Sequence, residues 1–273
     1  MMTVGDWGHV SARGSPMPTI DLNSDLGESF GAWRIGYDDD LFPMLSSANV
    51  ACGFHGGDPR TLERTIGACQ RHRVAVGAHP GFPDLVGFGR RQITGTPDEI
   101  RTDTLYQLGA LDAFCRAAGV RMRHVKPHGA LTNMAQHDAL MAEAIVAAVS
   151  AFDRRLMLFA MPGSELLKAA ERAGLTVARE AFADRAYNSD GSLVSRRLPG
   201  AMITDPATAA ERMVRLVTDG RITAIEGTEI ELQADTICTH SDTEGAVEIV
   251  SAVRSALLAA GATIGPPQPH AVR

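Results

Sequence analysis

The sequence predicts one α/β domain in which about seven parallel strands alternate with helices and form a closed or nearly closed barrel. Short apolar segments recur along the chain, and stretches with helical periodicity separate most of them. Few segments alternate strictly between polar and apolar residues, which is typical of parallel strands buried on both faces. Ionisable residues cluster where the segments end, as they do at a barrel mouth. An open doubly wound sheet is the alternative, but the chain has neither a G-x-G-x-x-G fingerprint nor a P-loop.

The predicted strands are short and lie between turn-forming or helical stretches. They span residues 19–22, 47–51, 74–78, 121–125, 156–160, 176–182 and 234–238. Two further segments, residues 186–194 and 222–232, have turn residues between β-prone ends, so we expect surface hairpins there.

The predicted helices begin at clear capping signals. Thr96-Pro97-Asp98-Glu99 combines an N-cap, a proline at the first helical position and a capping-box glutamate. Asp58 and Asp205 each precede a proline in the same way, and Ser164 can cap the helix that follows it. These starts fix where helices alternate with the predicted strands.

The domain is expected to cover residues 19–262. Residues 1–18 are rich in Gly, Ser, Pro and Met, so we expect a disordered N-terminal tail. This stretch has no apolar h-region, which argues against a signal peptide. Residues 263–273, with three prolines, are expected to form a flexible C-terminal tail.

Composition argues against several classes of partner. The net charge is −6 and no basic block is present, so a nucleic-acid partner is not expected. No apolar run reaches the roughly 18 residues of a membrane span. Cys52, Cys69, Cys115 and Cys238 are scattered and form no C-x-x-C pair. This spacing favours free thiols and a cytoplasmic protein.

Polar and ionisable residues lie at the ends of six of the predicted strands, so a parallel barrel would bring them to one mouth. In chain order they are Asn23, Asp25 and Glu28, then His55, His79, Lys126 and His128, then Glu180, Asp184 and Arg185, and finally His240 and Asp242. Four histidines would meet there. Each residue also has a structural alternative. Asp25 could cap a turn, His55 could bond its glycine-rich loop, and His79 could be a packed core residue. Asp184 and Arg185 could form an ion pair, and Asp242 could cap the last helix.

Lys126 stands out because the chain has only two lysines, the other being Lys168. In so arginine-rich a chain, a lysine suggests a need for a compact, titratable ammonium. The alternative is a solvated lysine beside a turn.

Two glycine-rich loops suggest ligand binding. Gly53, Gly56 and Gly57 precede a helix and could leave backbone N–H groups free for an anion. Residues 80–91 form a long loop with glycine and proline hinges. It could act as a lid, with Arg90 or Arg91 binding a carboxylate or phosphate. An irregular surface loop with solvated arginines is the alternative.

The residue types favour acid–base chemistry. Histidines, a lysine and carboxylates can transfer protons near neutral pH. The chain has no G-x-S-x-G motif, and Cys52 is more typical of a small packing residue than of a nucleophile. A metal held by Asp25, His55 and His79 is possible, although no H-E-x-x-H pair supports it. These residues alone predict a hydrolase or lyase that acts on a small polar or anionic substrate.

Six ordered segments together resemble the LamB/YcsF family. They are IDLNSDLGE (residues 20–28), NVACGFHGGDP (49–59), GAHPGFPD (77–84), VKPHGAL (125–131), FADRAY (182–187) and ADTIC (234–238). The resemblance runs from about residue 20 to residue 260. Two positions depart from the family pattern: Thr132 stands where a tyrosine is usual, and Ser241 where a glycine is common.

The resemblance implies a distorted barrel akin to the polysaccharide-deacetylase-like superfamily. It implies the A subunit of an ATP-dependent 5-oxoprolinase, which converts 5-oxo-L-proline to L-glutamate and ATP to ADP and phosphate. ATP with Mg²⁺ and companion B and C subunits are implied as well. Lys126 is expected to bind a developing oxyanion or a phosphate, and one of His55, His79 or His128 to activate water.

On this hypothesis the site residues fall into two groups. The expected catalytic residues are Asp25, His55, His79, Lys126, His128 and Asp184. The expected substrate-binding residues are Asn23, Glu28, Glu180, Arg185 and His240. Two alternatives remain open: a metal-dependent deacetylase or amidase that works without ATP, and a non-catalytic carrier subunit that binds the lactam.

Overall fold

A computed structural model of the chain describes residues 19–268. The predicted N-terminal tail and residues 269–273 of the predicted C-terminal tail lie outside the described residues. The first two residues of that C-terminal segment, Thr263 and Ile264, pair in parallel with Thr19 and Ile20. The ordered chain therefore extends past residue 262, because Gly265 also donates its N–H to the Ile20 carbonyl at 3.1 Å.

The described strands form a closed parallel barrel and a separate hairpin. They are Thr19–Leu26 (β1), Ser47–Ala51 (β2), Ala75–His79 (β3), Met122–Val125 (β4), Met157–Ala160 (β5), Val177–Phe182 (β6), Arg221–Thr223 (β7), Glu229–Glu231 (β8), Thr236–Cys238 (β9) and Thr263–Ile264 (β10). The barrel order is β1-β2-β3-β4-β5-β6-β9, and β9 pairs with β1 to close it. The predicted parallel barrel of about seven strands is confirmed, and β7 and β8 form the hairpin expected at residues 222–232.

Helices cover the outside of the barrel. They are Asp38–Leu41 (α1), Pro59–His72 (α2), Pro97–Ala117 (α3), Gly129–Ala135 (α4), Ala139–Phe152 (α5), Glu165–Arg172 (α6), Pro206–Asp219 (α7) and Ala246–Ala259 (α8), with a 3₁₀ turn at Phe42–Met44. The predicted caps are confirmed at Asp58, Thr96, Ser164 and Asp205. Among the described helices, none is both long and apolar enough to cross a bilayer.

The first strand is longer than predicted and carries polar side chains into the barrel. Asn23 and Asp25 lie inside β1 rather than after it, because β1 runs to Leu26. Both are buried and accept hydrogen bonds from Asn49 Nδ2, at 2.7 and 2.9 Å. Alternate residues of a strand face the same side, so these polar residues share the barrel interior. An apolar run is therefore a poor guide to the end of this strand.

Close packing inside the barrel predicts a strong effect of Gly77→Ala. A Cβ at Gly77 would lie 2.0 Å from His124 Nε2. The His124 ring cannot easily move, because it is stacked on Phe159 at 4.0 Å and bonded to Asn49 Oδ1 at 2.8 Å. We expect the free energy of unfolding to fall by about 1–3 kcal/mol or more in urea titration.

Gly109→Ala is the matched control for this substitution. Gly109 lies in α3, and no atom would come within 4 Å of its Cβ. We expect the free energy of unfolding of this variant to rise by about 0.5–1 kcal/mol, because alanine stabilises a helix more than glycine does. Equal stability of the two variants would contradict the packing of His124 against Gly77.

Candidate functional site

A cleft of about 530 Å³ opens at the carboxyl ends of the barrel strands. Six predicted site residues line it: Asp25, His79, Lys126, His128, Arg185 and His240. The other five are buried, and they are Asn23, Glu28, His55, Glu180 and Asp184. Four of them contact residues that line the cleft, whereas Asn23 donates a hydrogen bond to Glu180 behind the lining. The residues of the strand-end pattern thus lie together, but the pattern did not separate those that line the cleft from those behind them.

The Lys126 ammonium lies between two buried carboxylates. Nζ is 2.9 Å from Asp25 Oδ1 and 3.0 Å from Glu180 Oε1. It also donates to Cys238 Sγ at 2.9 Å. All three partners are buried, so the three N–H groups of the ammonium all have close neighbours. This geometry favours a role in holding Asp25 over direct binding of a substrate oxygen.

Charge compensation keeps this pair ionised. Burial alone would raise the pKa of Asp25, but the charges of His79 and Lys126 hold it well below its usual value. Burial alone would lower the pKa of Lys126, yet Asp25 and Glu180 hold it well above its usual value. Burial also raises the pKa of the Cys238 thiol, so Cys238 contacts the ammonium as a neutral group.

Three histidines and a glutamate form a buried cluster beside Asp25, and they are Glu28, His55, His79 and His128. His128 Nδ1 is 2.9 Å from His79 Nε2, and His79 Nε2 is 3.4 Å from Asp25 Oδ2. Glu28 Oε1 lies 3.1 Å from His55 Nε2 and 3.4 Å from His128 Nδ1. The rings of His55 and His128 stack at 3.7 Å. The network joins Asp25 to three of the four predicted histidines.

The hydrogen bonds assign protons within this cluster. His128 Nε2 faces the Phe88 carbonyl at 2.8 Å, and His79 Nδ1 faces the Lys126 carbonyl at 2.6 Å, so both atoms must donate. Burial and the neighbouring histidines hold the pKa of His128 well below its usual value, which leaves His128 Nδ1 as an acceptor. The hydrogen bond between the two rings joins His128 Nδ1 to His79 Nε2, and Asp25 Oδ2 lies 3.4 Å from the same atom of His79.

The loop of residues 80–91 covers the histidines. A Cβ at Gly81 would lie 2.7 Å from His55 Nδ1, and one at Gly89 would lie 2.8 Å from His128 Cδ2. Gln107 holds the Gly81 N–H and carbonyl through two hydrogen bonds of 2.9 Å each. The absence of side chains at these glycines lets the loop seat directly on the rings. Whether it also opens as a lid stays a prediction.

The two arginines of this loop have carboxylate partners. Arg90 Nη2 lies 2.6 Å from Asp242 Oδ2, and Arg91 pairs with Asp84 in the same loop. The expectation that Asp242 caps the last helix is therefore wrong. Gly245 is the N-cap of α8, and Asp242 instead binds the loop on the opposite side of the mouth.

Asp184 forms a pair with His240 rather than with Arg185. His240 Nδ1 is 2.9 Å from Asp184 Oδ2, and Thr243 Oγ1 donates to the same oxygen at 2.7 Å. Burial opposes ionisation, but these two partners lower the pKa of Asp184 to about 2. The Asp184 carboxylate is thus fully used in fixing His240, and an Asp184–Arg185 ion pair is not among the contacts of the described residues.

The glycine-rich loop before α2 is not an open anion cradle. Gly53 donates its N–H to the Gly56 carbonyl at 2.8 Å, and Gly57 donates to the Ser29 carbonyl at 3.1 Å. A Cβ at Gly56 would lie 2.6 Å from the Glu28 carbonyl oxygen. The glycines therefore let this loop pack against the segment after β1, which positions Glu28. Cys52 is buried with its pKa raised to about 12, as expected for a packing residue.

Glu28, His55, His79 and His128 have the composition of a metal site. One donor atom from each lies within 4.8 Å of the others. Nitrogen and carboxylate donors of this kind suit Zn²⁺ and related divalent ions. Burial and the charge of Asp25 raise the pKa of Glu28, and a cation would favour its ionised form. The buried His55 Nδ1 has no hydrogen-bond partner among the described residues, so it is another available donor. The donor set fits a divalent ion.

Several site residues escaped the sequence analysis. Asn49 bonds Asp25, Cys238 contacts Lys126, and Phe88 provides the carbonyl that His128 binds. Asn49 and Cys238 occupy alternate positions of β2 and β9 that point into the barrel, and this alternation could have identified them. Phe88 has a positive φ of 55° in the covering loop, which no sequence pattern indicated.

Thr132 and Ser241 are the two positions at which we expect this chain to depart from the family pattern. Thr132 lines the cleft, and its hydroxyl donates to the Pro127 carbonyl. Ser241 is buried, and its hydroxyl has no hydrogen-bond partner among the described residues. A Cβ at Gly36 would come within 2.5 Å of that oxygen, so the two residues are in tight contact.

Comparisons with known proteins agree on one family. The family model of LamB/YcsF matches residues 20–272. The chain is 52% identical over 252 residues to a Symbiobacterium thermophilum protein named as the A subunit of 5-oxoprolinase, covering 92% of this chain and 97% of the relative. A relative of the same name from Thermus thermophilus is 50% identical over 245 residues, covering 90% of this chain and 98% of the relative.

Solved structures give the same grouping. A crystal structure described as a lactam utilization protein from Thermus thermophilus has a TM-score of 0.87 and 49% identity, covering 90% of this chain and 99% of that one. A putative cellobiose-phosphate cleavage protein from Enterococcus faecalis has a TM-score of 0.51 at 14% identity, covering 92% of this chain and 97% of that one. The second likeness extends to the fold alone.

The charge balance at Lys126 predicts a large stability loss for Lys126→Met. Removal of the ammonium would leave Asp25 and Glu180 facing each other in the barrel without the cation that lies between them. We expect the free energy of unfolding, measured by urea titration at pH 7, to fall by about 3–5 kcal/mol. Adding Glu180→Gln should recover part of this loss, because one uncompensated carboxylate is removed.

Lys168→Met is the matched control, since Lys168 is the only other lysine. Lys168 pairs with Glu165 on α6, and its side chain is 51% exposed. We expect a change within about 0.5 kcal/mol. Similar losses of unfolding free energy in the two lysine variants would contradict a stabilising role for the buried Asp25–Lys126 ion pair.

Proposed function

Because the chain belongs to the LamB/YcsF family, we propose that it is the A subunit of an ATP-dependent 5-oxoprolinase. This enzyme would open 5-oxo-L-proline to L-glutamate. The observation that carries the proposal is the His79–His128 pair beside the Asp25–Lys126 ion pair, all four lining one cleft. Relatives that are 50–53% identical and carry the 5-oxoprolinase name support the choice of substrate.

The chemistry explains the need for ATP. A five-membered lactam is a poor electrophile, so water attacks its carbonyl slowly. Transfer of the γ-phosphoryl group to the amide oxygen would create a phosphate leaving group and release ADP. A first water would then add to the carbonyl carbon, and the ring C–N bond would break with transfer of a proton to the amine, which leaves an acyl phosphate. A second water would hydrolyse this acyl phosphate to the carboxylate of L-glutamate and inorganic phosphate. Because this sequence has no P-loop, we propose that companion B and C subunits share in binding ATP and Mg²⁺. We expect the reaction to occur in the cytoplasm, in keeping with four free cysteines.

The residues of the cleft divide the work. The His79–His128 pair would accept the proton of the attacking water as one unit. Asp25 compensates charge on His79, and Lys126 with Asn49 fixes the orientation of Asp25. His55 and Glu28 lie behind this pair and support it through the ring stack and the Glu28 contacts. In this proposal Lys126 acts as a positioning residue, and not as the ligand of an oxyanion or a phosphate that the resemblance implied.

A second candidate function is a metal-dependent amidase that needs no ATP. The donor cluster of Glu28, His55, His79 and His128 favours it. These four residues would hold a divalent ion, which would act as a Lewis acid toward a carbonyl oxygen. Asp25 would then compensate charge at the His79 edge of the cluster.

We expect Asp25→Asn and His128→Ala to reduce turnover of 5-oxo-L-proline by about 10²–10⁴-fold, the usual contribution of acid–base groups. Glutamate and ADP release would be measured with the reconstituted complex. His72→Ala should retain turnover, because His72 is exposed at the end of α2 and contacts Phe42, away from the cleft. Unchanged turnover in both site variants, with lactam binding retained, would instead support a non-catalytic carrier.

Metal analysis separates the two candidate functions. The amidase predicts about one divalent ion per purified chain, lost in Glu28→Ala, with amide hydrolysis in the absence of ATP. The oxoprolinase predicts strict coupling of glutamate release to ADP release. Hydrolysis that continues without ATP would exclude the first candidate, and a chain free of metal that turns over with ATP would exclude the second.

A further inference from the structure

The wall of the cleft carries an excess of positive charge. Arg90, Arg185, Arg196 and Arg197 line it, together with Lys126 on the floor. Among the described residues that line the cleft, Asp25 is the one carboxylate, and it is already paired with Lys126. The chain as a whole has a net charge of −6. A local excess of cations in an acidic protein points to an anionic ligand.

Arg185 is the buried member of this set. It is 6% exposed, and its Nη2 donates to the Val194 carbonyl at 2.6 Å. Its Nε is buried and has no hydrogen-bond partner among the described residues. Among the described residues, no carboxylate forms an ion pair with Arg185, because the neighbouring Asp184 binds His240 and Thr243 instead. Buried charges are normally paired, so this guanidinium is missing a counter-ion.

The neighbouring arginines strengthen this requirement. Burial and the charge of Arg196 lower the pKa of Arg185 to about 10, with a further contribution from Arg90. Arg90 is compensated by Asp242, whereas the described contacts give Arg196 no ion pair. An anion between Arg185 and Arg196 would relieve the repulsion and satisfy open donors. Arginine presents a planar fork that matches a carboxylate.

We infer that Arg185 binds the carboxylate of the substrate. The inference rests on the proposed function for the identity of the ligand, because 5-oxo-L-proline carries one carboxylate on its lactam ring. Arg185 lines the same cleft as Asp25 and His79, so the ring would extend from the arginine toward the histidine pair. Arg185 would then select lactams that carry an acid group.

The test compares three small ligands on the full chain by calorimetry. They are 5-oxo-L-proline, 2-pyrrolidinone, which lacks the carboxylate, and tetrahydrofuran-2-carboxylate, which lacks the lactam. Arg185→Gln should weaken binding of both carboxylates by about 10- to 100-fold and leave 2-pyrrolidinone unchanged. Arg185→Lys keeps the charge but lacks the planar fork. Its affinity for the two carboxylates should lie between the affinity of the unmodified chain and that of Arg185→Gln. A purely structural role would change all three affinities together.

Arg172→Gln is the control, since Arg172 lies on α6 and pairs with the exposed Glu143. It should leave the three affinities unchanged. Thermal unfolding of each variant checks that the fold persists.

The inference would be overturned if Arg185→Gln lost affinity equally for all three ligands, or lost no affinity for the carboxylates. Inorganic phosphate serves as a fourth probe. If Arg185→Gln lost phosphate binding but bound the carboxylates as before, Arg185 would be assigned to a phosphoryl group. That result would also overturn the inference. Arg185-dependent binding of tetrahydrofuran-2-carboxylate by a complex that does not hydrolyse 5-oxoproline would keep the inference and reject the proposed function. Failure of the unmodified chain to bind either carboxylate would reject the inference.

Discussion

The buried ammonium of Lys126 is the interaction on which the rest of the site depends. Lys126 directly follows β4, yet its partners Asp25, Glu180 and Cys238 lie on β1, β6 and β9. Those three strands meet where the barrel closes. The Lys126 side chain therefore crosses the barrel interior and connects the end of β4 to the three strands β1, β9 and β6. The same contact compensates two carboxylates, so barrel geometry and site electrostatics have a common origin.

The histidine cluster depends on a different constraint, which is the absence of side chains in the loop above it. Gly81 and Gly89 allow the loop backbone to approach His55 and His128 closely. Close covering buries the rings, and burial favours their neutral forms, which are the forms able to accept a proton. The loop thus affects the chemistry of the cleft without placing a charged group in it.

The sequence allowed a good prediction of the barrel and of the convergence of its strand-end polar residues, because both follow from local patterns. Strands buried on both faces show as apolar runs, and polar residues at their ends mark the mouth. The first strand was cut short at Leu22 because Asn23 and Asp25 point into a polar interior. Cross-barrel partners could not be predicted. The contact of Lys126 with Glu180 joins residues far apart in the chain, and it depends on strand order and register that no local pattern encodes.

Charge is distributed unevenly over the cleft, and the division suits a substrate that is both an acid and an amide. On the floor, the Asp25 charge is balanced by Lys126 and His79, so the groups that we propose to transfer protons form a compensated set. On the wall, Arg185 and Arg196 have no carboxylate partner among the described residues that line the cleft. A substrate carboxylate on the floor would be repelled by Asp25 and would displace its contacts. On the wall it would meet uncompensated cations and leave the floor network intact. Electrostatics alone would therefore orient an anionic lactam with its ring toward His79 and His128, before any bond to the ring atoms forms.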